Sequence, residues 1–175
     1  MNKLRLVVNI TMFILTFFLM NVNLISPLWH EIFGIIISFL IIIHLILNFK
    51  WIKNITKNIR KVKNKIRVLY AVDILTFFSY LITIVIGILI SISIFNFPTS
   101  YNPYLMLIHY ITGRLSLSLM LLHLGFHLNR IISKLTKNET TKAIIYIIYI
   151  TLGILISMYL AFTLVRSYVW QGVMQ

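Results

Sequence analysis

The sequence predicts an all-α integral membrane bundle of five transmembrane helices, and three observations carry that expectation. Sixty per cent of the residues are hydrophobic and 11% are charged, with a mean hydropathy of +0.97. A soluble domain of 175 residues has too little interior to hide so much apolar side chain. The apolar residues fall in five runs of about the 20 residues that cross a bilayer core. The basic residues lie in the short stretches between those runs, where they face anionic lipid.

The spans are drawn at 6–25, 27–49, 69–95, 104–129 and 143–165. The first resembles a signal peptide, but it has no small-residue cleavage site and an equally apolar span follows at once. Span two opens with Ser26-Pro27, an N-cap followed by proline at the first helical position, and span four opens likewise with Asn102-Pro103. Asp73, near the start of span three, sits where a carboxylate favours the positive helix end. The fifth span and a short tail complete the chain.

Loop charge orients the bundle. Lys3 and Arg5 precede span one, eight Lys and Arg from Lys50 to Arg67 separate spans two and three, and Arg130, Lys134, Lys137 and Lys142 separate spans four and five. The stretches 21–26 and 96–102 carry no Lys or Arg, and the C-terminal tail has only Arg166. The positive-inside rule then predicts a multi-pass protein of the cell membrane with its N-terminus cytoplasmic and its C-terminus outside. This placement explains the net charge of +13 and leaves no reason to invoke nucleic acid. The heavy use of Ile, Lys and Asn hints at an AT-rich bacterial coding sequence.

The chain repeats itself. Ile14-Leu15-Thr16-Phe17-Phe18 recurs as Ile74-Leu75-Thr76-Phe77-Phe78. Spans two and four share His-x-x-x-Gly, as His30 with Gly34 and His109 with Gly113, and each has a second histidine 14 residues after the first, His44 and His123. Four residues later stand Asn48 and His127. These features describe a duplicated two-helix unit, residues 6–50 and 69–130, within a four-helix domain over 1–132. Residues 133–175 add the fifth helix and an outside tail. Both histidine-bearing helices run the same way, so the repeat axis lies along the membrane normal.

Fourteen helical residues advance about 21 Å and stop about 40° short of four full turns. His30 and His44 therefore face one way at two depths, as do His109 and His123. Facing helices would pair His30 with His109 near the outer surface and His44 with His123 near the inner one. Each pair can supply both axial nitrogens to a haem iron. With no cysteine in the chain, disulfides, iron–sulfur clusters, thiolate zinc sites and covalent c-type haem are excluded. Two b-type haems are the cofactors expected, in a four-helix di-haem core.

Around the ligands, Gly34 and Gly113 stand one turn past the outer histidines, where a haem plane needs a missing side chain; close helix packing is the alternative. His127 could bond a propionate, line a quinone pocket or exchange with His123, and a polar neighbour of the inner haem is favoured. Arg114, inside span four, needs a partner there. An outer-haem propionate would serve, and snorkelling to the surface is the alternative. The histidines themselves admit other readings: a proton relay, a metal-transport site, or structural roles.

The run from His30-Glu31-Ile32-Phe33-Gly34 through His44-Leu45-Ile46-Leu47-Asn48-Phe49-Lys50-Trp51 resembles a bacterial family of small haem-binding membrane proteins. That family is related to ferric-reductase-like and flavin-linked cytochromes b. The four spans together also resemble di-haem cytochromes b such as the subunit of respiratory bc complexes. The resemblance covers spans one to four and implies that His30, His44, His109 and His123 are axial ligands. It further implies electron exchange between a quinol or cytoplasmic donor and an acceptor outside. The later helices and quinol-site loop of the respiratory subunit are missing here, so a bc cycle is not implied. Nor does any G-x-G-x-x-G or soluble segment provide for a nucleotide or flavin, so a quinone or a separate flavoprotein is the expected redox partner.

The expectation is thus a b-type cytochrome acting as the electron-transfer component of an oxidoreductase system. Its rivals are a proton or metal-ion transporter, and a mono-haem anchor subunit of a larger redox complex.

Overall fold

The computed structural model describes residues 3–20 and 24–173, less the side chains of 129, 130, 134, 135, 157, 160, 161 and 163–173. Part of the expected loop at 21–26 and most side chains of the expected tail therefore lie outside the described residues. The described chain is helical: α1 is Lys3–Met20, α2 Pro27–Asn58, α3 Asn64–Leu89, α4 Pro103–Leu135 and α5 Glu139–Val173. All five helices are long and apolar enough to cross a membrane, and the protein is a multi-pass membrane protein in its architecture.

Several boundaries differ from the sequence expectation. Helix α2 has 32 residues, about 48 Å at 1.5 Å per residue, and outruns a hydrocarbon core of about 30 Å. It continues to Asn58 because nothing after the apolar run stops it; Lys and Asn side chains are compatible with helix once they reach polar surroundings. Helix α3 starts at Asn64 rather than at 69, which leaves Asp73 beyond the first turn, where the helix dipole no longer acts strongly. It ends at Leu89 rather than at 95, and residues 90–102 turn back as a tied loop. Asn96 adopts φ 46° there, a left-handed conformation that asparagine tolerates better than most residues. Helix α5 continues through the expected tail to Val173.

The caps match their sequence signals. Ser26 accepts from the Trp29 amide at the start of α2. Asn102 Oδ1 accepts from Tyr104 N at 2.9 Å and Leu105 N at 3.2 Å. Each satisfies amides that the first helical turn leaves without partners.

The chain divides between Leu117 and Ser118 into two compact units. In the first, α1 meets α2 through Arg5, whose Nη2 donates to Leu47 O at 2.6 Å, and α1 meets α3 through Thr16 and Tyr80, 3.0 Å apart at their hydroxyls. Helix α3 meets the N-terminal part of α4 along a seam of small hydroxyl residues. Ser79 and Ser116 lie 2.8 Å apart at Oγ, and Thr83 Oγ1 lies 3.2 Å from Ser116 Oγ. Ser116 is fully buried. Small residues let helix backbones approach where the surrounding solvent is itself apolar. Large side chains point outward instead, Phe39 and Ile46 being 64% and 68% exposed, as lipid contact requires.

At the other end of the α2–α3 hairpin, Arg67 donates to the carbonyls of Ile59 and Arg60 at 3.0 and 2.6 Å, and Thr56 and Tyr70 are 2.6 Å apart at their hydroxyls. The guanidinium satisfies carbonyls that the end of α2 leaves open.

In the second unit, Asn138 caps α5 through the Thr140 amide at 2.8 Å. Tyr149 donates its hydroxyl to the Leu121 carbonyl. A Cβ on Gly125 would come within 2.8 Å of that hydroxyl oxygen, so glycine at 125 is what admits the tyrosine.

Candidate functional site

Two of the predicted site residues come together within the first unit. The rings of His30 on α2 and His109 on α4 have centroids 6.0 Å apart with an interplanar angle of 75°. Two imidazoles sharing one metal ion, each nitrogen about 2.0–2.1 Å from it, have centroids roughly 6 Å apart. The separation therefore suits a shared ion as well as an edge-to-face contact.

His109 has a defined tautomer in its neutral form. Its Nδ1 lies 2.9 Å from the Thr83 carbonyl oxygen, which can only accept, so Nδ1 carries the proton and Nε2 carries the lone pair. A ligating histidine is ordinarily held this way, donating its second nitrogen to a carbonyl or carboxylate. The ring also sits against Gly87: a Cβ there would come within 2.9 Å of His109 Cε1 and 3.3 Å of Nδ1. His30 is half-buried, and its Nδ1 is buried with no hydrogen-bond partner among the described residues. A buried ring nitrogen in that state leaves His30 without the anchoring hydrogen bond that His109 has.

Beside His30, the Glu31 carboxylate is bound by the loop that follows α3. Ser91 Oγ donates to it at 2.8 Å, and the amides of Ile92, Ser93 and Ile94 donate at 2.9, 3.0 and 2.8 Å. Successive amides of this kind form a concave anion site, filled here by a side chain of the protein itself. Glu31 thereby ties the outer-histidine end of α2 to the loop between α3 and α4.

His44 Nδ1 lies 2.9 Å from Asn9 Oδ1 on α1, so in its neutral form it too protonates Nδ1 and keeps its lone pair on Nε2. Asn48 donates to the His44 carbonyl at 2.8 Å. In the second unit, His123 and His127 stack one turn apart with ring centroids 4.7 Å from each other. Arg114 lies over the Tyr110 ring, 3.7 Å from its centroid. This is a cation–π contact within one helix, a partner that sequence reasoning did not consider.

The two glycines singled out for haem clearance differ. Among the described residues a Cβ on Gly34 would meet nothing within 4 Å, whereas one on Gly113 would make ordinary contacts with Met20 Cε at 3.7 Å and Thr83 Cγ2 at 3.8 Å. Gly113 thus faces protein. Sequence reasoning missed Thr83, Gly87, Glu31 and Asn9. Gly87 is the single glycine of α3, a signal that was available; the Thr83 contribution is a backbone carbonyl and leaves no trace in residue type.

No protein-family model, curated protein or solved structure matches this chain.

Proposed function

We propose that this protein is a membrane-embedded b-type cytochrome that carries electrons across the membrane through two bis-histidine haems. His30 and His109 would hold the outer one. The observation that carries the reading is the meeting of these two rings from separate helices, 6.0 Å apart, with His109 Nδ1 bonded to a backbone carbonyl at 2.9 Å. The donor set fits haem iron, which two neutral imidazoles such as those of His30 and His109 would hold. The second haem is inferred from the histidine spacing, and the Nδ1-protonated form of His44 is compatible with a ligand role.

A bound haem supplies the one-electron chemistry; the protein supplies ligation, orientation and a low dielectric. In that division of labour Thr83 fixes the His109 tautomer, Glu31 holds the helix carrying His30, and the lipid-facing Phe and Ile side chains exclude water. The loop charges argue for a cytoplasmic N-terminus and an outside C-terminus. Electrons would then pass between a quinol or flavoprotein and an acceptor outside.

One observation favours the ion-transport alternative. Asp73 lies beyond the first turn of α3, which gives the apolar region a carboxylate of the kind a proton or metal-ion path uses. The optical spectrum of protein purified from haem-supplied cells separates the two. The conduit reading expects b-type absorbance with about two haems per chain, and His44→Ala should remove about half. A spectrum without haem bands sinks the conduit, and unchanged haem content in His44→Ala sinks the second centre.

A further inference from the structure

The next step rests on the haem reading and concerns its outer centre, where the two rings are held very unequally. His109 is gripped from α3 by two contacts: Nδ1 donates to Thr83 O at 2.9 Å, and the bare Cα of Gly87 lies where a Cβ would be only 2.9 Å from Cε1. His30 lacks the first of these. Its Nδ1 has no hydrogen-bond partner among the described residues. One turn further along its helix, on the same face, a Cβ on Gly34 would meet nothing within 4 Å among the described residues. The main chain at this point is nevertheless well tied, because the adjacent Glu31 accepts from Ser91 and three loop amides. What His30 lacks is therefore the hydrogen bond that fixes its ring, and not the anchoring of its helix.

A hydrogen bond to the second nitrogen of a ligating histidine orients the ring and raises its basicity, and loss of such a partner costs about 10–100-fold in metal affinity. We infer that His109 is the permanent ligand of the outer centre and His30 the exchangeable one, so that a small neutral molecule can take the place of the His30 ring. The functional consequence is a choice of chemistry. A centre whose axial positions are both permanently filled passes electrons on, whereas one that releases a ligand can also bind a small molecule at the metal.

The test uses the full chain purified in detergent from haem-supplied cells, with haem content and the carbon monoxide difference spectrum of the reduced protein as readouts. His30→Ala should keep close to the wild-type haem content and gain a carbon monoxide spectrum. His109→Ala should lose about half of the haem, as loss of one of two centres requires. Gly87→Ala, which leaves all the histidines in place, should push the His109 ring off Thr83 and weaken outer-haem retention about ten-fold or more. Gly153→Ala on α5, where a Cβ meets nothing within 4 Å among the described residues, is the control. Equal haem loss from His30→Ala and His109→Ala overturns the inference, as does haem retained in His109→Ala but lost in His30→Ala. Those outcomes leave the cytochrome reading standing, whereas a wild-type chain without haem removes both.

Discussion

Glu31 illustrates how one residue can tie two segments together through a single carboxylate. A carboxylate next to an intramembrane histidine reads, in sequence, as an ordinary end-of-helix acid. In the structure it accepts from Ser91 Oγ and from three consecutive amides, and those amides depend on it for their pairing. Net of exchange with water, hydrogen bonds to a charged group contribute up to about 1.5–3 kcal/mol each, and less where solvent reaches them. Glu31→Ala should therefore speed hydrogen exchange at Ile92, Ser93 and Ile94 by about ten-fold or more, and Glu31→Gln, which keeps one acceptor oxygen, by less. Exchange rates equal to wild type in the alanine variant would show that the loop holds itself. The residue types that met in the outer pair, His30 and His109, were legible from spacing. Thr83 was not, because its contribution is a carbonyl, which every residue carries.

At the scale of elements, the α3–α4 seam sets how closely α3 meets the ring of His109. Ser79, Thr83 and Ser116 alternate hydroxyls across it, with Ser116 at 0% exposure and Ser79 at 6%. Their side chains are small enough to bring α3 against the ring of His109, which Gly87 and the Thr83 carbonyl then meet. Ser116→Ala should cost little, about 0.6 kcal/mol, as is usual for such bonds in membrane helices. Ser116→Leu should cost about 1–3 kcal/mol or more, since the seam has no volume for it. Unfolding in mixed detergent measures both, and a leucine variant as stable as the alanine variant would mean that the helices part more easily than this packing implies. Helix existence and caps were legible because apolar length, Ser26-Pro27 and Asn102-Pro103 are local signals. The end of α3 at Leu89 was not, because the Glu31 contact that captures the next amides comes from a residue about 60 positions earlier in the chain.

For the whole molecule, five apolar helices and the run of basic residues between α2 and α3 determine how the protein meets its membrane. The proposed orientation is directly testable because the chain has no cysteine. Single cysteines replacing the exposed Lys57 and Tyr101 should behave oppositely toward a membrane-impermeant maleimide on intact cells. Tyr101→Cys should label at once, and Lys57→Cys only after permeabilisation. The reverse pattern would invert the membrane orientation and exchange the two faces assigned to the histidine pairs.

The sequence by itself determined that this chain is helical and apolar enough to cross a membrane five times, where α2 and α4 begin, and which histidines share a helical face. Those properties follow from composition and from periodicity along the chain, which need no knowledge of what packs against what. Only the tertiary structure decided that His30 and His109 meet, that His109 is gripped by Thr83 and Gly87 while His30 is not, and that Glu31 closes the outer loop. Each of these depends on atoms brought together from distant positions, and several of them are backbone groups. Such contacts arise when helices pack, and spacing in one dimension does not encode them.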